Sequence, residues 1–287
     1  MKTIGIFANC DKPSAPRILR RLNKRASQLG LRLMAADPVA AMLPDAQRVT
    51  PDEFIRRIDL LMVLGGDGAM LHAIRLLRGQ AVPVLGVNLG SLGFLTSVAQ
   101  QDLDYALDCL RRGNYVTSQR TLLDCFVRRQ GRIISRYRAL NDVVINRGAS
   151  ARIITLKLLM NDEEVSSYRA DGLIVSTPTG STGHAVSAGG PILHPAARAF
   201  VINLICPHTL SARPLVIADE NKLAVIIAKS AGDLVLSVDG QVGEPLKASD
   251  RIEIRRSAKR VRLMHLPDYS YFAVLRQKLH WRGSTIN

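Results

Sequence analysis

Apolar residues in the first 120 positions fall into two alternating patterns. Short continuous runs, Ile4 to Ala8, Leu60 to Leu64 and Val82 to Val87, read as strands buried on both faces. Between and after them lie stretches with apolar residues at helical spacing, Ala15 to Leu29, Ala69 to Leu77 and Leu103 to Leu110. Alternating β and α units predict a parallel sheet covered by helices, a Rossmann-like α/β domain over residues 1–120. After Arg120 the pattern changes to short β-prone runs: Leu122 to Val127, Ile133 to Tyr137, Val143 to Ile145, Ile153 to Leu159 and Leu173 to Ser176. Val201 to Ile205, Leu223 to Ile227, Leu234 to Val238, Ile252 to Ile254 and Val261 to Met264 continue the series, punctuated by turn signals such as Asn161-Asp162 and Asp239-Gly240. Many short strands without helices predict an all-β, sandwich-like domain over residues 121–265. The tail, residues 266–287, is partly helical from Asp268 to Trp281 and is expected to pack back on the first domain.

Composition adds a charge argument. Lys and Arg total 39 against 24 Asp and Glu, a formal charge of +15. Such an excess raises the local concentration of polyanions, whether nucleic acid, an anionic membrane or a phosphorylated small substrate. The four cysteines are widely spaced and form no C-x-x-C pair, which argues for a reducing compartment and against a zinc site or disulfide framework. The apolar amino terminus meets Asp11 too soon for a signal peptide, so the cytoplasm is the expected location. The uncharged stretch Ala81 to Gln101 is broken by Pro83, Asn88 and three glycines, and no membrane span is expected.

Two loops carry candidate chemistry. Gly65-Gly66-Asp67-Gly68 directly follows a buried strand and precedes a helix. Its glycines let backbone amides approach phosphate oxygens at the positive end of the helix. An acidic residue there repels phosphate, which makes sense if Asp67 takes a proton from an attacking hydroxyl or helps hold magnesium. The plainer alternative is a tight turn with Asp67 as helix N-cap. The second loop runs from Asp171 to Pro191, a strand passing into small and hydroxylated residues suited to a polar, phosphate-bearing ligand. No G-x-x-x-x-G-K-[ST] is present and no G-x-G-x-x-G follows a strand, so the usual P-loop and dehydrogenase readings lose ground.

Taken together, Gly65-Gly66-Asp67-Gly68, Asn88-x-Gly90-x-Leu92-Gly93-Phe94-Leu95, Asn141-Asp142 and the Asp171 to Pro191 run resemble the bacterial NAD kinases. Pro207 to Leu215 and Asp268-Tyr269-Ser270-Tyr271-Phe272 extend the resemblance in the family's order over nearly the whole chain. The first motif is shared with phosphofructokinases and lipid kinases; the set is specific. The resemblance implies that Asp67 accepts the proton of the adenosine ribose 2′-hydroxyl, with Gly68 beside it and His72 near the phosphates. It implies that Asn141 and Asp142 bind the dinucleotide, and that Arg152, Arg169, Asp171, Gln241 and the segment Thr182, Gly183, His184, Ala185, Val186 and Ser187 contact it. The family usually has Ala-Tyr where this chain has Gly183-His184, and commonly Thr where it has Ala69. An imidazole can still stack or donate a hydrogen bond, with less area than a phenol.

The implied reaction is in-line attack of the 2′-hydroxyl on the terminal phosphoryl of ATP or polyphosphate, with magnesium (Mg2+) neutralising the developing charge. The resemblance also implies a homodimer or homotetramer. Two rivals remain. One is a lipid or sugar kinase sharing the first loop. The other is a basic nucleic-acid-binding protein, suggested by Arg17, Arg20, Arg21, Lys24 and Arg25 on one helix and by Arg128, Arg129, Arg132, Arg136 and Arg138 around a turn; basic charge without a recognised motif is weak support for it.

Overall fold

The continuous apolar runs near the amino terminus become the strands of a parallel sheet in the structure, a computed structural model that describes residues 3–91, 93–148, 153–229 and 232–281. The first compact unit comprises residues 1–119 and 261–287, the second residues 120–260. In the first unit the chain forms β1 (Thr3–Ala8), α1 (Ala15–Leu29), β2 (Arg32–Ala35), β3 (Gln47–Arg48), α2 (Pro51–Arg57) and β4 (Leu60–Leu64). It continues through α3 (Asp67–Leu76), β5 (Val84–Asn88), β6 (Val98–Ala99) and α4 (Leu103–Arg112). The strand order is β3-β2-β1-β4-β5, and every pair along it is parallel. That is the Rossmann order, which reverses between β1 and β4. Ligands of such sheets bind at the carboxyl ends of the strands beside this reversal.

Local chemistry accounts for the helices that flank the sheet. Helix α1 starts with Pro16 in its first turn and stops at Gly30, whose φ of 63° is the left-handed conformation that closes a helix. It lays Ile18, Leu19, Leu22 and Ala26 against Ile4, Ile6, Met62 and Leu64 of the sheet. Helix α2 is held by a capping box, Thr50 with Glu53. Helix α3 begins at Asp67, two residues earlier than the apolar spacing predicts, because Gly66 is its N-cap.

The second unit is built from two antiparallel layers. One sheet has the order β14-β13-β12-β9-β16-β17, from β9 (Asp142–Arg147), β12 (Gly172–Ser176), β13 (Ala199–Ile205), β14 (Leu215–Ala218), β16 (Leu234–Val238) and β17 (Val242–Leu246). The other layer contains the hairpin β7 (Val116–Arg129) with β8 (Arg132–Ala139), and β10 (Ile154–Met160), β11 (Glu163–Ala170), β15 (Leu223–Lys229) and the start of β18 (Arg251–His265). Alternate residues of both layers, among them Cys125, Ile145, Leu156, Leu173, Phe200, Val225 and Leu236, share one core, as in a sandwich. A short helix, α5 (His184–Ser187), sits on the first of these sheets.

The expected boundary after residue 265 moves to 260, inside β18. The first part of this strand pairs with β15, and Leu263 pairs with Val84 of β5. Met264 and Leu266 then join the core of the first unit, followed by α6 (Tyr271–Leu279) with Val274 and Leu275 buried. The described part of the tail, up to residue 281, groups with the first unit.

Phe200, fully buried in the second unit's core, provides a stability test. Phe200→Ala is expected to lower unfolding free energy by about 3–5 kcal/mol, read from chemical denaturation.

Candidate functional site

Strand β4 delivers Gly65-Gly66-Asp67-Gly68 to the carboxyl edge of the first unit's sheet, at the reversal of strand order. The Asp67 side chain does not cap its own helix. Its Oδ2 accepts the backbone N–H of Phe94 at 2.8 Å and its Oδ1 that of Leu95 at 3.0 Å. The carboxylate is thereby fixed as an acceptor, with lone pairs left over on both oxygens. Gly93 has to be glycine, because a Cβ there would collide with the Asp67 carboxylate. At Gly66 and Gly68, by contrast, an added Cβ would meet nothing within 4 Å. His72 is exposed further along α3, 5.4 Å from the Phe7 ring. Partial burial and Arg75 hold its imidazole below the usual range.

The second unit assembles a separate group of candidates around the start of β9. Asp239, in the turn after β16, accepts the backbone N–H groups of Leu140, Asn141 and Asp142 at 2.9, 2.7 and 3.1 Å. Thr177 adds to this, donating its hydroxyl to the Leu140 carbonyl at 2.5 Å and its N–H to the Asn141 carbonyl at 2.9 Å. The short helical turn Gly180–Thr182 lies so close over Asn141 that any side chain at position 180 would strike the Asn141 carbonyl. Burial, opposed by the three N–H groups and reinforced by Asp142, pushes the Asp239 carboxyl up to about 6.

Gly183 and His184 follow this turn directly. His184 Nδ1 lies 3.4 Å from Asp142 Oδ2, and that contact raises the imidazole above its ordinary range. Ala185 is fully buried against Val144 and Ile174, which anchors α5, while Val186 is half-buried and Ser187 exposed. Gln241 sits in the turn beside Asp239, its N–H bonded to the Val238 carbonyl at 3.0 Å. Asn141 Oδ1, Asp142 Oδ1 and Thr179 Oγ1 are buried and make no hydrogen bond among the described residues. Unmet polar atoms so close together suit a ligand rich in hydroxyl groups.

Not every candidate is gathered here. Arg169 is exposed near the end of β11, and Asp171 precedes β12, bound through both oxygens to Arg147 at 2.9 and 3.1 Å. Gly172 pairs with Asn146 while Ser176 pairs with Asp142, so β12 separates Asp171 from the Asp142 end by roughly 13 Å of strand. Arg152 lies outside the described residues. Reading the sequence missed Asp239, and within the Asp171 to Pro191 run it did not single out Thr177 and Thr179. Asp239-Gly240 registers along the chain only as a turn, because what it holds is about a hundred residues away (|i−j| of 97 to 99).

Residues 4–115 match the family model for the ATP-NAD kinase N-terminal domain, and residues 140–266 that for the ATP-NAD kinase C-terminal domain. The NAD kinase of Geobacter sulfurreducens is 41% identical over 281 residues, covering 98% of this chain and 99% of the relative. The NAD kinase of Geobacter metallireducens is 43% identical over the same shares. Among solved structures, yeast NADH kinase complexed with NADH aligns at a TM-score of 0.91 and 25% identity, over 99% of this chain and 89% of that one. An NAD kinase from Archaeoglobus fulgidus in complex with ATP aligns at 0.76, over 98% of this chain and 100% of that one; at 23% identity it supports the fold alone.

The His184–Asp142 contact has a measurable consequence. Because the imidazole is raised in the folded state, its pairing adds stability that is full below about pH 6.5 and lost as pH rises through the folded value. An NMR titration of His184 should show a midpoint above 6.5 that falls in Asp142→Asn.

Proposed function

The chain belongs to the NAD kinase family and is an enzyme that phosphorylates NAD, and from that premise we propose that Asp67 takes the proton of the adenosine ribose 2′-hydroxyl. The hydroxyl oxygen attacks the terminal phosphoryl of ATP, or of polyphosphate, in line with the leaving oxygen. One observation carries this reading: the Asp67 carboxylate is pinned by two backbone N–H groups where the glycine loop enters α3. A base held in place before substrate arrives contributes through orientation as well as proton transfer. The unmet oxygens of Asn141 and Asp142 are assigned to vicinal ribose hydroxyls. His184 and Gln241 are assigned to the rest of the dinucleotide, with Thr182, Gly183, Val186 and Ser187 lining its approach.

Magnesium entering with the phosphoryl donor belongs to the same proposal. Among the described residues no three His, Cys, Asp or Glu side chains stand close enough to hold a metal. Magnesium of this kind is held mainly by phosphate oxygens and water with one or two carboxylates, a part Asp67 would take here. When bound, the ion supplies charge neutralisation on the donor's phosphates. A cytoplasmic location is supported by four cysteines that form no disulfide. Among the described residues no helix is long and apolar enough to cross a membrane. A homodimer or homotetramer is proposed on family membership.

Asp67→Asn keeps the shape of the side chain but loses the base. Turnover, followed as NADP formed from NAD, magnesium and each donor in turn, should fall roughly 10²–10⁴-fold. NAD affinity, measured by calorimetry, should stay near wild type. A variant with near-normal turnover removes Asp67 from the proton transfer.

A further inference from the structure

Asn88 closes β5 with a hydrogen-bond donor that nothing uses. Its side chain is 3% exposed. Oδ1 accepts the N–H of Gly90 at 2.9 Å and so holds the turn that follows. Nδ2 is buried and has no partner among the described residues. Buried donors in native proteins are nearly always satisfied, by protein, water or ligand, and an exception calls for an occupant.

Strand geometry says where this donor sits. Side chains alternate along β5, and Leu85 and Val87 belong to the core packed under α1 and α4. Val84, Gly86 and Asn88 therefore face the other way. At Gly86 that face meets Met70 of α3 and Thr96. Asn88 is two residues closer to the carboxyl edge of the sheet than Gly86. Asp67 is about one turn closer to the helix N-terminus than Met70. The two steps run toward the same edge, since β4 and β5 are parallel and the loop after β4 turns the chain back into α3. Asn88 is thus level with the first turn of α3, where the Asp67 carboxylate is pinned and an added Cβ at Gly66 or Gly68 would meet nothing within 4 Å.

We propose that Asn88 is a catalytic residue whose Nδ2 donates a hydrogen bond to a non-bridging oxygen of the phosphoryl group in transfer. This rests on the reading of Asp67 given above. The bond from the ribose 2′-oxygen to phosphorus forms as the donor's bridging P–O bond breaks. The hydroxyl proton passes to Asp67, and Asn88 keeps its own protons throughout. Charge on the phosphoryl oxygens then meets two sources of positive potential, the α3 N-terminus and the amide. A neutral donor suits this position. A lysine there would pair with Asp67 and depress its basicity, whereas an amide leaves the carboxylate free to take a proton.

Two substitutions separate the donor from the turn. Asn88→Asp keeps an oxygen for the Gly90 N–H and replaces the donor; Asn88→Ala removes both without adding charge. Wild type, assayed with NAD, ATP and magnesium, should form NADP; failure to do so overturns the functional reading itself. Given an active wild type, both variants should lose roughly a hundredfold in kcat while the NAD dissociation constant stays within about threefold. Thermal stability should fall more in Asn88→Ala than in Asn88→Asp. A kcat within about twofold of wild type in either variant overturns the proposal. So does a loss confined to NAD affinity, which would place the amide on the ribose.

Discussion

Backbone N–H groups reaching into a carboxylate hold each of the two candidate clusters in shape. In the first unit Asp67 takes those of Phe94 and Leu95, and in the second Asp239 takes three in succession from Leu140 to Asp142. Apart from Asp142, which opens β9, the residues so held lie outside helices and strands and would otherwise keep much of their conformational freedom. Bonds to an ionised acceptor are among the stronger hydrogen bonds a protein makes, so a single side chain suffices for each segment. Small residues are the counterpart of this arrangement. Gly93 and Gly180 stand where the tethered segment comes too close for any side chain.

The two carboxylates do different work with the same kind of bond. Asp67 is engaged on one side only and remains able to accept a proton from elsewhere. Asp239 is spent on structure, and its neighbour Asp142 is the group left with an unused oxygen and an imidazole beside it. Replacement of the family's usual tyrosine by His184 therefore changes more than a stacking surface. It places a titratable cation against the carboxylate assigned to the ribose, so the charge of that corner depends on pH near neutrality.

Much of the fold was legible because burial on both faces leaves a continuous apolar run. The strand Leu60–Leu64 and the helix Ala15–Leu29 lie where the pattern puts them. Of the strands that escaped notice, β2 is mostly buried but only four residues long, while others are exposed or carry a breaker. Strand β11 reads Glu-Glu-Val-Ser-Ser-Tyr-Arg-Ala with its middle facing solvent, and β17 contains Pro245. The basic cluster on α1 looks like a patch for polyanions in sequence, yet Arg21 and Arg25 pair with Asp104 and Asp108 of α4. Arg128, Arg129 and Arg138 likewise meet Glu253, Asp250 and Asp124. Of the site, the Gly65 to Gly68 loop stood out because its chemistry is local. Its anchors did not, since no spacing rule links Asp67 to Phe94 or Asp239 to Leu140.

Strand β18 gives the chain an order of assembly during synthesis. Met264 and Leu266, which complete the core of the first unit, leave the ribosome only after all of the second unit has emerged. The α/β unit must wait, with its sheet formed but one flank bare, while the β-sandwich is made. Its apolar flank is exposed to chaperones and to other nascent chains throughout that interval. A chain that stops at Arg260, inside β18, leaves a finished sandwich attached to an unfinished partner.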